Sequence, residues 1–126
     1  MITSLTHPIA VLSYRTMTTR LAQMQQRIQR IKEELLALGD MRPGALNKQY
    51  NVCGKPNCRC KDPEDPKRHG PYYQLSYTRK GKSTTEFVRK EMVAEVKRQI
   101  RTYARFKKLI DEWVALALRL AKQQKK

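Results

Sequence analysis

Three cysteines and a histidine carry the chemistry this sequence is equipped to do. Cys53, Cys58 and Cys60 fall within one stretch, Cys53-Gly54-Lys55-Pro56-Asn57-Cys58-Arg59-Cys60, and His69 follows nine positions later. The spacing C-x4-C-x-C-x8-H supplies three thiolates and one imidazole, the soft and borderline donors that suit a four-coordinate zinc ion. It is not the common paired C-x2-C form. Gathering these four groups about one ion needs two sharp reversals of the chain. Gly54, Pro56, Asn57 and the pairs Asp62-Pro63 and Asp65-Pro66 permit them. Lys55, Arg59, Lys61, Lys67 and Arg68 sit in or beside the loop and favour ionised thiols. The expectation is a zinc cofactor held by Cys53, Cys58, Cys60 and His69. The competing reading is three free cysteines in a reducing compartment. A disulfide is disfavoured, because the count is odd and Cys58 and Cys60 are too close to bridge comfortably.

The remaining reactive residues give catalysis little to work with. Two carboxylates could do acid–base or two-metal work, but the acidic residues are sparse and stand mostly beside prolines or on helix surfaces. Tyr72-Tyr73 resembles a tyrosine nucleophile but lacks a histidine pair to hold a catalytic metal beside it. His69 as a base for Cys60 is conceivable, yet zinc accounts for both residues together. His7, next to Pro8, reads as an ordinary terminal residue. The chain is expected to be non-catalytic.

Composition bounds what these residues are mounted on. A chain of 126 residues, 30% of them charged, makes one small domain or a small core with extended arms. Only Trp113, Phe87 and Phe106 add large apolar rings to six tyrosines, so a metal staple would contribute substantially to folding. Basic residues number 27 against 11 acidic, a formal net charge of +16. Solubility does not require such an excess. A polyanion, an anionic membrane surface or an acidic protein does. No run approaches the ~18 apolar residues that span a bilayer. The first residues lack the positive region of a signal peptide. The expectation is a soluble protein of the reducing cytoplasm with no membrane partner.

The excess charge is not spread evenly. Residues before 42 carry a net +2, residues 42–89 carry +7 and residues 90–126 carry +7. Each Lys or Arg that neutralises a phosphate adds a salt-sensitive increment of affinity by releasing counterions. Candidate nucleic-acid contacts are the loop cations Lys55, Arg59, Lys61, Lys67 and Arg68, the hairpin cations Arg79, Lys80 and Lys82, Arg89, and the helix cations Lys97, Arg98, Arg101 and Arg105. Tyr72 and Tyr73 join them, since tyrosines can hydrogen-bond phosphates or stack on unpaired bases.

Four segments must position these groups. Residues 1–16 are weakly patterned and read as a loose N-terminal arm. From Met17 to Leu38 the apolar residues Met17, Leu21, Met24, Ile28, Ile31, Leu35 and Leu38 step by 4, 3, 4, 3, 4, 3, a heptad seam predicting a helix over 17–38. Thr16 or Thr18 would cap its start and Gly39, in a left-handed conformation, its end. Such a seam must meet another helix, in this chain or in a second copy. Residues 42–89 form the zinc loop and a β-hairpin. Tyr73, Leu75 and Tyr77 share one face, Tyr72, Gln74, Ser76 and Thr78 the other, and Arg79-Lys80-Gly81-Lys82 makes the turn with Gly81 at positive φ. Residues 90–126 form a basic amphipathic helix with Val93, Val96, Ile100, Tyr103, Phe106, Ile110, Trp113, Ala117 and Leu120 on one stripe. The fold class is α+β, mostly α, with two long helices (about 17–38 and 90–123) flanking the zinc-bound loop and the hairpin.

One longer pattern joins these pieces. Pro43-Gly44-Ala45-Leu46, Tyr50, Cys53 to Cys60, His69-Gly70-Pro71-Tyr72-Tyr73, Ser76, Gly81-Lys82 and Val88, followed by a basic helix, resemble a family of short, uncharacterised prokaryotic proteins. The likeness spans about residues 42–110 and implies a shared metal–hairpin–helix unit, associated with mobile elements or phage. Its last part is also similar, more loosely, to hairpins in the DNA-binding modules of transposases and integrases. The leading expectation is a small zinc-stabilised nucleic-acid-binding protein, with DNA favoured over RNA. The alternative is an oligomerising adaptor that binds an acidic protein partner through its long helices, with helix 17–38 meeting a second copy or a larger protein.

Overall fold

In the computed structural model, residues 8–124 are described, with side chains from Thr19 to Gln124. Helix α1 spans Pro8–Ala37, strands β1, β2 and β3 span Ala45–Asn51, His69–Arg79 and Lys82–Val88, and helix α2 spans Val93–Gln124. Short 3₁₀ turns occur at Arg59–Lys61 and Lys90–Met92. The fold class is α+β. The chain forms two compact units, one from Gly39–Arg105 and one from α1 with the chain after Phe106. No helix among the described residues is long and apolar enough to cross a membrane.

The helical unit is built on the heptad seam. Leu21, Met24, Ile28, Leu35 and Leu38 are half-buried and Ile31 is fully buried, while Gln25, Gln26, Gln29 and Arg30 between them are exposed. The cover comes from the same chain. Arg27 donates from Nε to Glu112 Oε2 at 2.6 Å and from Nη2 to Glu112 Oε1 at 2.8 Å, a bidentate pair that fixes the rotation of both helices. The Lys32 ammonium lies 5.3 Å from the centre of the Trp113 ring. Arg20, Leu21 and Met24 share a cleft with Leu116, Arg119 and Gln123, so the two segments run antiparallel.

Three details of the helices differ from the sequence reading. Helix α1 begins at Pro8 instead of Met17, so residues 8–16 are helical and Thr16 and Thr18 lie inside the helix; residues 1–7 of the expected arm lie outside the described residues. Proline is well tolerated in a first turn, where its missing N–H is not needed, and no Gly or Pro interrupts the chain from there to Leu38. Gly39 follows the helix without a positive φ; α1 ends at Ala37, with Leu38 N–H donating to Leu35 O at 3.3 Å. On α2 the fully buried residue is Leu109, which the stripe omits, whereas Ala117 is exposed. The helix packs on the sheet early in its length and on α1 later, so one straight stripe does not describe both contacts.

In the other unit the expected hairpin is two strands of a three-stranded antiparallel sheet, ordered β1-β2-β3. The added strand, Ala-Leu-Asn-Lys-Gln-Tyr-Asn, lacks the β-branched residues that announce a strand and is fixed by pairing with β2, Leu46 opposite Leu75 and Asn47 opposite Gln74. It supplies the third strand that an isolated hairpin needs for stability. The turn between β2 and β3 has Lys80 at φ 52° and Gly81 at φ 76°, the conformation a two-residue hairpin loop requires. The face carrying Tyr73, Leu75 and Tyr77 is the inward one. Leu75, Val88 and Val96 form its buried core, with Leu46, Tyr73, Tyr77, Val93 and Ile100 packed around them, so the first turns of α2 cover this face.

Candidate metal centre

The sheet ladder itself brings the two ends of the cysteine loop together. Asn51 pairs with His69 at the end of the β1–β2 ladder, so Cys53, two residues past Asn51, emerges beside the histidine. Residues 54–68 must then leave and return within a short distance. Cys58 N–H donates to Lys55 O at 3.3 Å, Lys61 N–H to Cys58 O at 3.0 Å and Lys67 N–H to Arg59 O at 3.0 Å, which folds the loop back onto its 3₁₀ turn. Glu64 N–H donates to Asp62 Oδ1 at 2.9 Å, the turn expected of Asp62-Pro63.

This folding assembles all four sequence-identified ligands. The three sulfurs and the imidazole nitrogen lie within 4.8 Å of one another. Cys53 Sγ is 3.6 Å from Cys60 Sγ, and Cys58 Sγ is 3.1 Å from His69 Nε2. A tetrahedral ion with bonds of ~2.3 Å to sulfur and ~2.0 Å to nitrogen would set these edges at about 3.5–3.8 Å. The cluster is therefore of the right size and donor chemistry for a metal ion. All three cysteines are free, and Cys60 is only 3% exposed.

Hydrogen bonding and burial pull the thiols in opposite directions. Cys58 is lowered to about 6, first by the backbone N–H of Cys60 and then by the thiols of Cys53 and Cys60. Cys60 is raised, chiefly because burial penalises its anion, although Cys53 N–H donates to its sulfur at 3.3 Å. A cation in the cluster would hold every thiol deprotonated and relieve the crowding of like charges.

The candidate nucleic-acid residues divide by position. Lys55, Arg59, Lys61, Lys67 and Arg68 are exposed on the metal loop, and Arg79, Lys80 and Lys82 are exposed at the hairpin turn. Arg89 is exposed just past β3, and Lys97, Arg101 and Arg105 point outward from α2 at four-residue steps. Arg98 is engaged by Glu95, which also accepts from Gln99 Nε2 at 3.0 Å. The tyrosine pair separates. Tyr72 is 38% exposed on the outward face of the sheet, whereas Tyr73 packs against the core. Sequence reasoning missed β1, whose pairing with β2 closes the metal loop. Its only signal was the segment from Pro43-Gly44 to Tyr50 leading into the cysteine loop.

No curated protein and no solved structure matches the chain. A family model does, over residues 21–98, taking in most of α1, the whole sheet, the metal loop and the start of α2. The match reaches further toward the N-terminus than the residues that suggested a family in the sequence, and on that extent the chain belongs to the family described as a domain of unknown function, DUF6788.

Proposed function

We propose that the protein is a small zinc-stabilised nucleic-acid-binding module, non-catalytic, with DNA favoured over RNA and an association with mobile elements or phage. The observation that carries this reading is the row of exposed cations beside the cysteine–histidine quartet, at Lys55, Arg59, Lys61, Lys67 and Arg68 on the loop and Arg79, Lys80 and Lys82 at the hairpin turn, in a chain of net charge +16. Its loop and hairpin cations are exposed rather than spent on internal ion pairs. Zinc is the metal favoured by three thiolates and an imidazole at this scale, and four protein donors leave no corner open for a reacting water, which favours a structural role. Folding energy from the ion would stiffen a unit whose buried core is only Leu75, Val88 and Val96.

Metal analysis and a gel-shift titration test this together. The expected result is one zinc per chain, lost with Cys58→Ser, and binding of nucleic acid at low salt that weakens steeply as salt rises. Metal-free native protein, or no binding at low salt, overturns it. An adaptor role is the second reading. It is favoured by Val114 and Leu118, exposed one turn apart on α2. A stable oligomer by sedimentation, broken by Leu118→Lys and without nucleic-acid affinity, would select it.

A further inference from the structure

The outward face of the sheet is built unlike the rest of this chain. Across the three strands it presents Ala45, Asn47 and Gln49 from β1, Tyr72, Gln74, Ser76 and Thr78 from β2, and Ser83, Thr85 and Phe87 from β3. None of these ten is charged. A chain that is 30% charged would place about three charges among ten outward-facing sheet positions, eight of them exposed and Gln74 and Ser76 half-buried. The cations stand instead at the two ends of the strands, with Arg79, Lys80 and Lys82 at the hairpin turn and Arg68 and Arg89 at the opposite end.

On this neutral face lie two aromatic rings that the fold does not use. Phe87 is 67% exposed and Tyr72 38% exposed. They are diagonal neighbours, because Phe87 pairs with Gln74, two residues along β2 from Tyr72, which puts them about 7–8 Å apart. Three amides adjoin them. Asn47 and Gln74 lie in one cross-strand row with Phe87, and Gln49 lies opposite Tyr72. A strand's solvent face gains nothing from a phenylalanine in water that threonine or lysine would not supply.

We propose that this face docks single-stranded nucleic acid, with bases stacked on Phe87 and Tyr72, their edges met by the amides of Asn47, Gln49 and Gln74, and phosphates drawn to the cations at the strand ends. The proposal rests on the nucleic-acid-binding reading above and specifies its substrate. Charge distribution selects the occupant. A duplex offers an outer surface of phosphates with its bases stacked inside, which a neutral face of rings and amides does not complement. An unpaired strand offers flat π-faces, unsatisfied polar edges and a phosphate backbone, and each has a counterpart here. Amides can both donate to and accept from base edges, as a carboxylate or an ammonium cannot.

Fluorescence anisotropy on the full chain with its metal bound tests this, using a labelled oligothymidylate of about 15 nucleotides and a duplex of equal length. The single strand is expected to bind more tightly. Phe87→Ala should weaken it on the order of tenfold while leaving the salt dependence and the metal content unchanged. Phe87→Tyr, which keeps a ring, should restore most of the loss. Equal binding of strand and duplex, untouched by Phe87→Ala, sinks the sheet-face proposal and leaves nucleic-acid binding standing. Binding of neither probe at low salt removes the functional reading and this proposal with it. A dimer that Phe87→Ala converts to monomer would assign the face to self-association, which also overturns the proposal.

Discussion

At the scale of single residues, Cys58 concentrates the properties of the metal cluster. It lies 3.1 Å from His69 Nε2, and the Cys60 backbone N–H heads the influences that lower it to about 6. A thiol ordinarily titrating near 9 but depressed when folded contributes stability that is complete above its unfolded value and is lost as pH falls through about 6. In reduced, metal-free protein, ultraviolet thiolate absorbance should therefore show one group ionising near pH 6, absent from Cys58→Ser. Titration of every thiol near its ordinary value would contradict that assignment. The cysteine–histidine quartet could be read from the sequence because its chemistry and spacing are local. The partition of the tyrosines could not. A period of two says that Tyr72 and Tyr73 face opposite ways, but only α2, arriving from later in the chain, decides that Tyr73 is the packed one.

Elements repeat that distinction between local and distant causes. The hairpin turn and the two helices were legible, since glycine at positive φ and apolar periodicity act within a few residues. Strand β1 and the early start of α1 were not. A strand with little intrinsic preference exists only because β2 offers a ladder, and the nine residues added to the start of α1, about two and a half turns, carry no marked apolar period to announce them. The entry into β1 makes this measurable. Gly44 has φ +124°, and a Cβ there would lie 2.8 Å from Ser76 O and 2.9 Å from Leu75 Cδ1, both in the partner strand. Gly44→Ala should lower stability by about 1–3 kcal/mol, combining a strained backbone with displacement of the ladder. Thermal unfolding would register it, and an unchanged midpoint would mean that the approach of β1 to β2 is looser than described. Ile31→Ala should act elsewhere. Emptying a fully buried site between α1 and α2 costs about 2–5 kcal/mol, and it should loosen the helices while leaving metal binding by the quartet unchanged, because the quartet lies wholly in the other unit. Loss of metal in that variant would show that the two units unfold as one.

For the molecule as a whole, the decisive quantity is where +16 charges act rather than how many there are. A generic polycation attracts any polyanion, and removing any three charges weakens it equally. A built surface does not behave that way. Each cation that contacts a phosphate steepens the dependence of log affinity on log salt by about 0.7–0.9, and cations far from the nucleic acid add almost nothing. Replacing Arg79, Lys80 and Lys82 by alanine should therefore flatten that slope by about 2–3. Replacing Arg20, Arg30 and Lys122, exposed cations of the helical unit, removes the same formal charge and should leave the slope nearly unchanged. Affinity measured at several salt concentrations separates the outcomes without knowledge of any target sequence. Equal flattening by the two triple variants would reduce the protein to a diffuse cation. Flattening by the hairpin set alone would locate the contact on the unit that contains the cysteine–histidine quartet, and a chelator that strips a metal from the quartet should then lower affinity as well, because the hairpin cations would lose the frame that spaces them.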